Sequence, residues 1–120
     1  MASTITIVTT KAKNKILEAR AGNAPIAPVK YMAFGDGGNG WIPTGADNDL
    51  QHELLRKEIT GTETKYRYKC LIGTEELQNT VINEMGLVDE AGDFVCIIAC
   101  ADKAKDDDIE MEFYIDDIMN

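Results

Sequence analysis

Hydrophobic and polar positions divide this chain into short β-like runs separated by glycine- and proline-rich breaks. Residues 3–9, Ser-Thr-Ile-Thr-Ile-Val-Thr, are rich in β-branched side chains, and Ile5 and Ile7 share a parity. The first ten residues therefore read as a short strand or an extended arm. Thr9 or Thr10 is suited to cap a helix. Lys11 to Ala21 follows with good helix formers and stops at Gly22. Ala12, Ile16 and Ala19 form a narrow apolar stripe, with Leu17 beside it, and the small alanines predict close packing against a sheet. Residues 22–28 carry a glycine and two prolines, so they form a connector. Val29 to Phe34 reads as a strand that breaks abruptly into a loop, Gly35 to Ala46, with Gly35, Gly37, Gly38, Gly40, Pro43 and Gly45 in it. A second helix is predicted next. Asp47 or Asn48 caps it, Gln51 completes a capping-box spacing with Asn48, Leu50 and Leu54 share a face with Leu55 adjacent, and Ile59 to Gly61 ends it.

The second half is β-like throughout. From Thr64 to Ile72, Tyr66, Tyr68, Cys70 and Ile72 point one way, while Lys65, Arg67 and Lys69 form a basic outer row. Thr80 to Val88 has Gly86 in its middle, a sign of a bulge or a close neighbour. Residues 89–93 are a hairpin turn, and Phe94 to Cys100 is apolar on both faces, as a covered central strand requires. Lys103 to Asp108 reads as a charged loop. In the last strand Ile109, Met111, Phe113 and Ile115 face inward, and Glu110, Glu112, Tyr114 and Asp116 face outward. The pattern predicts an α+β fold: a mostly antiparallel sheet with two helices packed on it, residues 1–120 forming a single domain.

Composition narrows the function. The net charge of −9 argues against nucleic acid and against an anionic membrane surface. It is also lopsided: residues 1–70 carry +3 and residues 71–120 carry −12. If the basic row at Lys65–Lys69 and the acidic row of the last strand are neighbours in one sheet, or meet across a subunit boundary, they pair. Such exposed pairs are too weak to hold a fold but bias register and partner choice. Cys70, Cys96 and Cys100 lie in apolar or β-type runs and read as buried reduced thiols of a chain made in the cytoplasm. The N-terminus has no basic region followed by an apolar run, so no signal peptide is expected, and no segment approaches the roughly 18 apolar residues of a membrane span.

The glycine break is the candidate site. Gly35, Asp36, Gly37 and Gly38 permit either a phosphate or metal loop or a purely structural turn. Zinc is disfavoured, because in a strand Cys96 and Cys100 lie roughly 13 Å apart and a single zinc needs both sulfurs at about 2.3 Å. The phosphate-loop spacings are missing, and Asp36 would repel a phosphate. Asp36, Asp47 and Asp49 could serve calcium, but not at EF-hand spacing. His52 is the only histidine and Ser3 the only serine, and neither stands in a nucleophile or base arrangement. The residues predict no enzyme, no cofactor and no metal site. Trp41, the only tryptophan, is either an interface anchor or a lid folded back on its own core.

The helix at Lys11–Gly22, the run Tyr-Met-Ala-Phe-Gly-Asp-Gly-Gly at 31–38, Pro43, Leu-Leu-Arg at 54–56 and Ile-Asn-Glu-Met-Gly-Leu-Val-Asp-Glu-Ala-Gly-Asp at 82–93 occur in that order. Together they resemble the N-terminal domain of phage tail-collar fibre proteins, found in contractile-tailed phages and phage-tail-like bacteriocins. The resemblance runs from Lys11 to about Ala101. It implies a virion tail component that joins a trimeric fibre to the baseplate, with other tail or baseplate proteins and further copies of itself as partners, and it implies no catalytic residues. In the family a fibre shaft and a receptor-binding tip follow this domain. They are missing from this sequence, which is expected to be an isolated domain or a short adaptor or tail-tip subunit. The alternative from another class is a small cytoplasmic ligand- or metal-binding domain using Gly35–Gly38. On the structural reading, the glycines let the Trp41 loop turn sharply and pack near Glu84 and Gly86, with Asp36 capping the turn's amides.

Overall fold

The computed structural model describes residues 4–117, so Met1 to Ser3 of the expected arm lie outside the described residues. Strand β1 (Ile5–Val8) leads into helix α1 (Thr10–Arg20). Strands β2 (Val29–Gly35), β3 (Glu53–Glu58), β4 (Gly61–Thr64), β5 (Arg67–Ile72), β6 (Thr80–Asp89), β7 (Phe94–Lys105) and β8 (Met111–Asp116) follow. They form two antiparallel sheets, one in the order β1-β7-β6-β2-β3 and one in the order β4-β5-β8.

The sheets pack face to face on one apolar cluster. Met32, Phe34, Leu87 and Ile98 enter it from the larger sheet, and Cys70, Ile72, Phe113 and Ile115 from the smaller. Phe34 and Phe113 meet across it with ring centroids 5.0 Å apart. The chain passes between sheets at Ile59 and Thr60, whose amides donate to Lys30 O at 3.0 Å and Lys69 O at 2.8 Å. A second, smaller cluster of Ala33, Leu50, Val88, Phe94 and Ile97 lies apart from the first, with Ile7, Tyr31 and Trp41 against it. Alternating residues of a strand point to opposite faces, so Ala33, between Met32 and Phe34, belongs to the outer face of the large sheet.

Helix α1 forms as its sequence predicts. Thr9 Oγ1 accepts from Ala12 N at 3.1 Å and donates to Phe94 O at 2.7 Å, so one hydroxyl caps the helix and ties it to β7. Gly22 follows the helix at φ 80°, with its amide and that of Asn23 folding back on Ala19 O and Glu18 O.

The predicted second helix does not exist. Among the described residues the fold is mostly antiparallel β with one helix, not α+β with two helices on a sheet. Residues 47–52 are irregular, and Glu53–Glu58 pairs along β2 from Phe34↔Leu55 to Tyr31↔Glu58. The reason is local. The Gln51 and His52 amides, which a helix would need for its ladder, donate instead to Glu84, 33 and 32 residues away. Leu50 and Leu55 also serve different clusters, so no single apolar stripe exists.

Two smaller corrections follow. The run read as one strand from Thr64 is the hairpin β4–β5, beginning at Gly61. Of the expected charged loop Lys103 to Asp108, residues 103–105 are instead the end of β7, which pairs Thr80↔Lys105 to Ile82↔Lys103, while Asp106 to Asp108 do form a loop. Between Ile82↔Lys103 and Glu84↔Ala99, β7 advances four residues while β6 advances two, and this bulge turns residues 101–104 to solvent. The basic and acidic rows do lie side by side: β5 pairs with β8, and Arg67 Nε meets Asp116 Oδ1 at 2.8 Å. Lys69, however, stands opposite Tyr114 rather than an acid.

Candidate functional site

Strand β2 ends at Gly35, which stands opposite Glu84 of β6. Glu84 is fully buried, and its carboxylate holds the loop that follows β2. Oε2 accepts from Gly37 N and from His52 N, both at 2.8 Å, and Oε1 accepts from Gln51 N at 2.7 Å. Both ends of the segment 36–52 thus converge on one side chain. Asn83, beside it and 4% exposed, accepts from Gly38 N at 2.8 Å through Oδ1 and donates from Nδ2 to Asp102 at 3.2 Å. A buried carboxylate is stable only when its charge is met by donors, and three backbone amides meet this one.

The glycines are needed for space. None of Gly35, Gly37 and Gly38 has a positive φ. A Cβ on Gly35 would fall 2.3 Å from His52 O, one on Gly37 2.6 Å from Gln51 Cβ, and one on Gly38 2.2 Å from Asn83 O. Gly86 is of the same kind: its Cβ would fall 2.6 Å from Cys96 O and from the Phe94 ring, and the register shifts of β6 lie elsewhere. The close neighbour, not the bulge, explains this residue.

Beyond Gly38 the loop crosses toward β1 and α1. Trp41 N donates to Gly38 O at 3.2 Å, and Gly45 O receives Thr10 N at 2.7 Å. Pro43 and Leu50 are buried, and Trp41 packs half-buried against the outer cluster. The segment therefore covers part of the sheet face that a second helix was expected to cover. Trp41 and Ile42, with Ile5, Ala99 and Cys100, line an open cleft of about 240 Å³, and Ile42 is 71% exposed.

Asp36 does not cap the turn as expected. Its carboxylate meets Nδ1 of the exposed His52, and Glu84 and Asn83 hold the amides. His52 is not on a helix. Glu84 lies beside the glycine loop, whereas Gly86 stands opposite Ala33 in mid-strand, against Cys96 and Phe94; Asn83, Gln51 and the His52 amide were missed. The available signal was the polar Asn83-Glu84 pair inside an otherwise apolar strand.

The other charged cluster ties α1 to the β6–β7 hairpin. Lys15 Nζ lies 2.7 Å from both Asp89 Oδ2 and Asp93 Oδ2, and Lys11 reaches Asp93 at 2.9 Å. Burial opposes the Lys15 charge, but the bonds to Asp89 and Asp93 outweigh it and raise its pKa. The Asp93 carboxyl is held below its usual range by Lys15 first and then Lys11. Burial alone raises Asp117.

The Gly37, Gly38, Gln51 and His52 amides are already taken by Glu84 and Asn83, so these four do not form a cradle for an outside anion. Among the described residues no three His, Cys, Asp or Glu side chains are grouped to hold a metal ion, and no helix is long and apolar enough to cross a membrane. What the site does is fix a loop and present Trp41 and Ile42 at the edge of the large sheet.

Over residues 1–114 the sequence matches the family described as phage tail-collar fibre protein, N-terminal. The chain belongs to this family. No curated protein and no solved structure matches it. This tail-collar fibre domain is a structural component of a phage tail, a setting that implies association with other tail components. The match spans β1 to all but the end of β8, so the whole glycine–Glu84 site lies within the family's domain.

Proposed function

We propose that this tail-collar fibre domain is a baseplate-attachment module, a non-enzymatic part that joins a tail fibre to the particle. Family membership over residues 1–114 carries the reading. The engagement of the Gly37, Gly38, Gln51 and His52 amides by Glu84 and Asn83 supports it against the ligand-binding alternative. Gly35, Asp36, Gly37, Gly38, Trp41, Glu84 and Gly86 are the assembly residues: Glu84 holds the loop, Gly35, Gly37 and Gly38 give it room, Gly86 lets β6 pack against Cys96 and Phe94, and Asp36 and Trp41 belong to the surface the loop offers. The domain works as a homo-oligomer, a cyclic trimer, matching the symmetry of a fibre.

The test is incorporation. Particles assembled without this chain should carry tails that lack fibres, and adding the chain back should restore them. Fibred particles formed without it would refute the attachment role. Light scattering at low salt should find three copies together, and a monomer at high protein concentration would refute the trimer for this chain. Calcium should leave the melting temperature unchanged, whereas a large rise would favour the ligand-binding alternative.

A further inference from the structure

We infer that copies of this chain meet head to tail, the outer face of α1 on one copy receiving the acidic loop before β8 on the next. The inference rests on the homo-oligomer reading and names the two faces that meet, whatever the number of copies.

The helix face is basic and apolar. Lys13, Leu17 and Arg20 stand at i, i+4 and i+7, so they share one side of α1, turned away from the buried Ala12. Leu17 is 58% exposed, and Ile26, which lines a cleft with the half-buried Ile16, is 53% exposed. Lys11 and Lys15 are committed to Asp93 and Asp89, and Glu18 accepts from Asn23. Lys13 and Arg20 are exposed and have no ion pair among the described residues.

The acidic loop is the counterpart. Residues 106–110, Asp-Asp-Asp-Ile-Glu, are all exposed, and their four carboxylates flank Ile109. None of the four has an ion pair among the described residues. Lys105, fully buried at the end of β7, donates from Nζ to Asp106 O at 3.3 Å and pins the start of the loop.

The two faces cannot meet within one chain. Thr9 fastens the start of α1 to Phe94 and Val95 at the head of β7, and Lys15 holds the helix to Asp89. The loop leaves the other end of β7, after Lys105. At about 3.3 Å per residue, less the bulge, the strand puts roughly 30 Å between them. Strand β8 repeats the separation: it starts at Met111 beside the loop and ends at Asp116, and Asp117 then lines the cleft with Ile16 and Ile26. The domain is 48 Å long, with a basic apolar face toward one end and an acidic one toward the other.

Charge selects the partner. The helix face fits an acidic surface with an exposed apolar side chain, and the far end of a second copy carries one. Exposed ion pairs contribute little each, so the contact is weak and salt-sensitive. At about 0.1 M salt, charges more than about 10 Å apart are largely screened. The −9 of one copy then hardly acts on the −9 of the next, whereas groups at the contact still attract. Two different faces make a heterologous contact, which closes into a ring or continues as a filament.

The test is charge reversal followed by mixing, read by sedimentation. Wild-type chain should self-associate at about 0.1 M salt and dissociate at about 1 M, where screening reaches within about 3 Å. Lys13→Glu with Arg20→Glu moves the net charge from −9 to −13, and Asp107→Lys with Asp108→Lys moves it to −5. All four positions are exposed, so both variants should fold by circular dichroism. Each alone should associate at least about tenfold more weakly. An equimolar mixture should recover association, because the intact face of each variant meets its complement on the other. Overall repulsion predicts instead that the −5 variant associates more tightly. That result, or no recovery on mixing, would overturn the inference. Oligomers that both variants leave intact would overturn these faces and leave the homo-oligomer reading standing. A wild-type monomer would overturn both, and particle incorporation would still decide the attachment role. If particles take up that monomer but not the α1 variant, the helix face serves a different, acidic tail protein and the inference falls.

Discussion

The substitution Glu84→Gln tests whether one buried carboxylate holds the loop. It preserves side-chain volume and removes the charge. In the better of its two orientations the amide oxygen takes the Oε2 position and keeps the Gly37 and His52 N–H groups, both at 2.8 Å. The side-chain NH₂ then confronts Gln51 N–H across 2.7 Å, donor against donor. One bond is lost outright, and the other two fall from charge-assisted to neutral strength. Bonds to charged groups contribute about 1.5–3 kcal/mol and neutral ones about 1 kcal/mol, so the gross loss is about 3–5 kcal/mol. Relief of a buried charge offsets part of it, leaving about 2–4 kcal/mol. That is a large share of a typical domain stability of about 5–15 kcal/mol.

Urea unfolding measures this directly. With a slope of about 2 kcal/mol per molar urea, the midpoint should fall by about 1–2 M. Trp41 fluorescence, compared with far-ultraviolet circular dichroism, separates release of the loop from loss of the sheets. Asp36→Asn is the control, because the Asp36 carboxylate bonds the exposed His52 ring while the Gly37, Gly38, Gln51 and His52 amides go to Glu84 and Asn83. It should cost less than about 1 kcal/mol. A Glu84→Gln loss under about 0.5 kcal/mol, or one smaller than that of Asp36→Asn, would refute the role given to Glu84.

Gly37→Val should cost about 2–4 kcal/mol or abolish folding, because its Cβ meets Gln51 Cβ at 2.6 Å and His52 N at 2.8 Å; a normal urea midpoint would show that the loop yields easily. Asp93 is depressed by Lys15 and Lys11 below its ordinary 3.8, so its contribution is fully present above that value and lost as pH falls through the folded pKa. Lys15→Met should therefore shift acid unfolding, followed by circular dichroism, to higher pH. Asp117 has the opposite sign: burial raises its pKa, so the ionised form is penalised at neutral pH. Asp117→Asn should raise the neutral-pH melting temperature, with the gain shrinking as the wild-type carboxyl protonates in acid. Burial pushes Cys70 up to about 11 and Cys96 up to about 12, so thiol reagents at mildly alkaline pH should label these residues only after unfolding.

The elements legible in the sequence were those whose local pattern and tertiary role coincide. Strand β8 alternates cleanly because only one of its faces is buried, and α1 carries its own cap in Thr9. The second helix was illegible because Leu50 and Leu54 matched a helical period by coincidence. Leu50 fills the outer cluster, Leu54 is 38% exposed, and Leu55 and Ile59 enter the main core at the period of a strand. Lys57, between them, obscured that period. It lies on their side of β3 but places its ammonium on Leu71 O at 2.7 Å and Glu76 at 2.6 Å. The end of β7 was hidden by its bulge, which no local pattern announces. The glycine motif was legible as a break in the strand, but not what its glycines avoid: backbone and side chains from Asn83, Glu84 and residues 51–52, which come from distant parts of the chain.

The way the loop is held bears on what it can present. Its bonds to Glu84 run from main-chain amides, so the shape of residues 36–52 depends little on the side chains along its outer surface. Asn39 and Ile42 are exposed and stand on a segment that Gly38, Pro43 and Leu50 bury from beneath. A loop anchored through its backbone can change its exposed residues without losing its fold, whereas the residues beneath it cannot change. Substitutions should therefore separate into two groups. Ile42→Lys and Asn39→Ala should leave the unfolding free energy within about 0.5 kcal/mol of wild type while altering attachment to the tail. Gly38→Ala, which drives a Cβ to 2.2 Å from Asn83 O, should lower stability and attachment together. Were Ile42→Lys to unfold the domain, or Gly38→Ala to leave both properties intact, the division between a fixed underside and a free outer surface would be wrong.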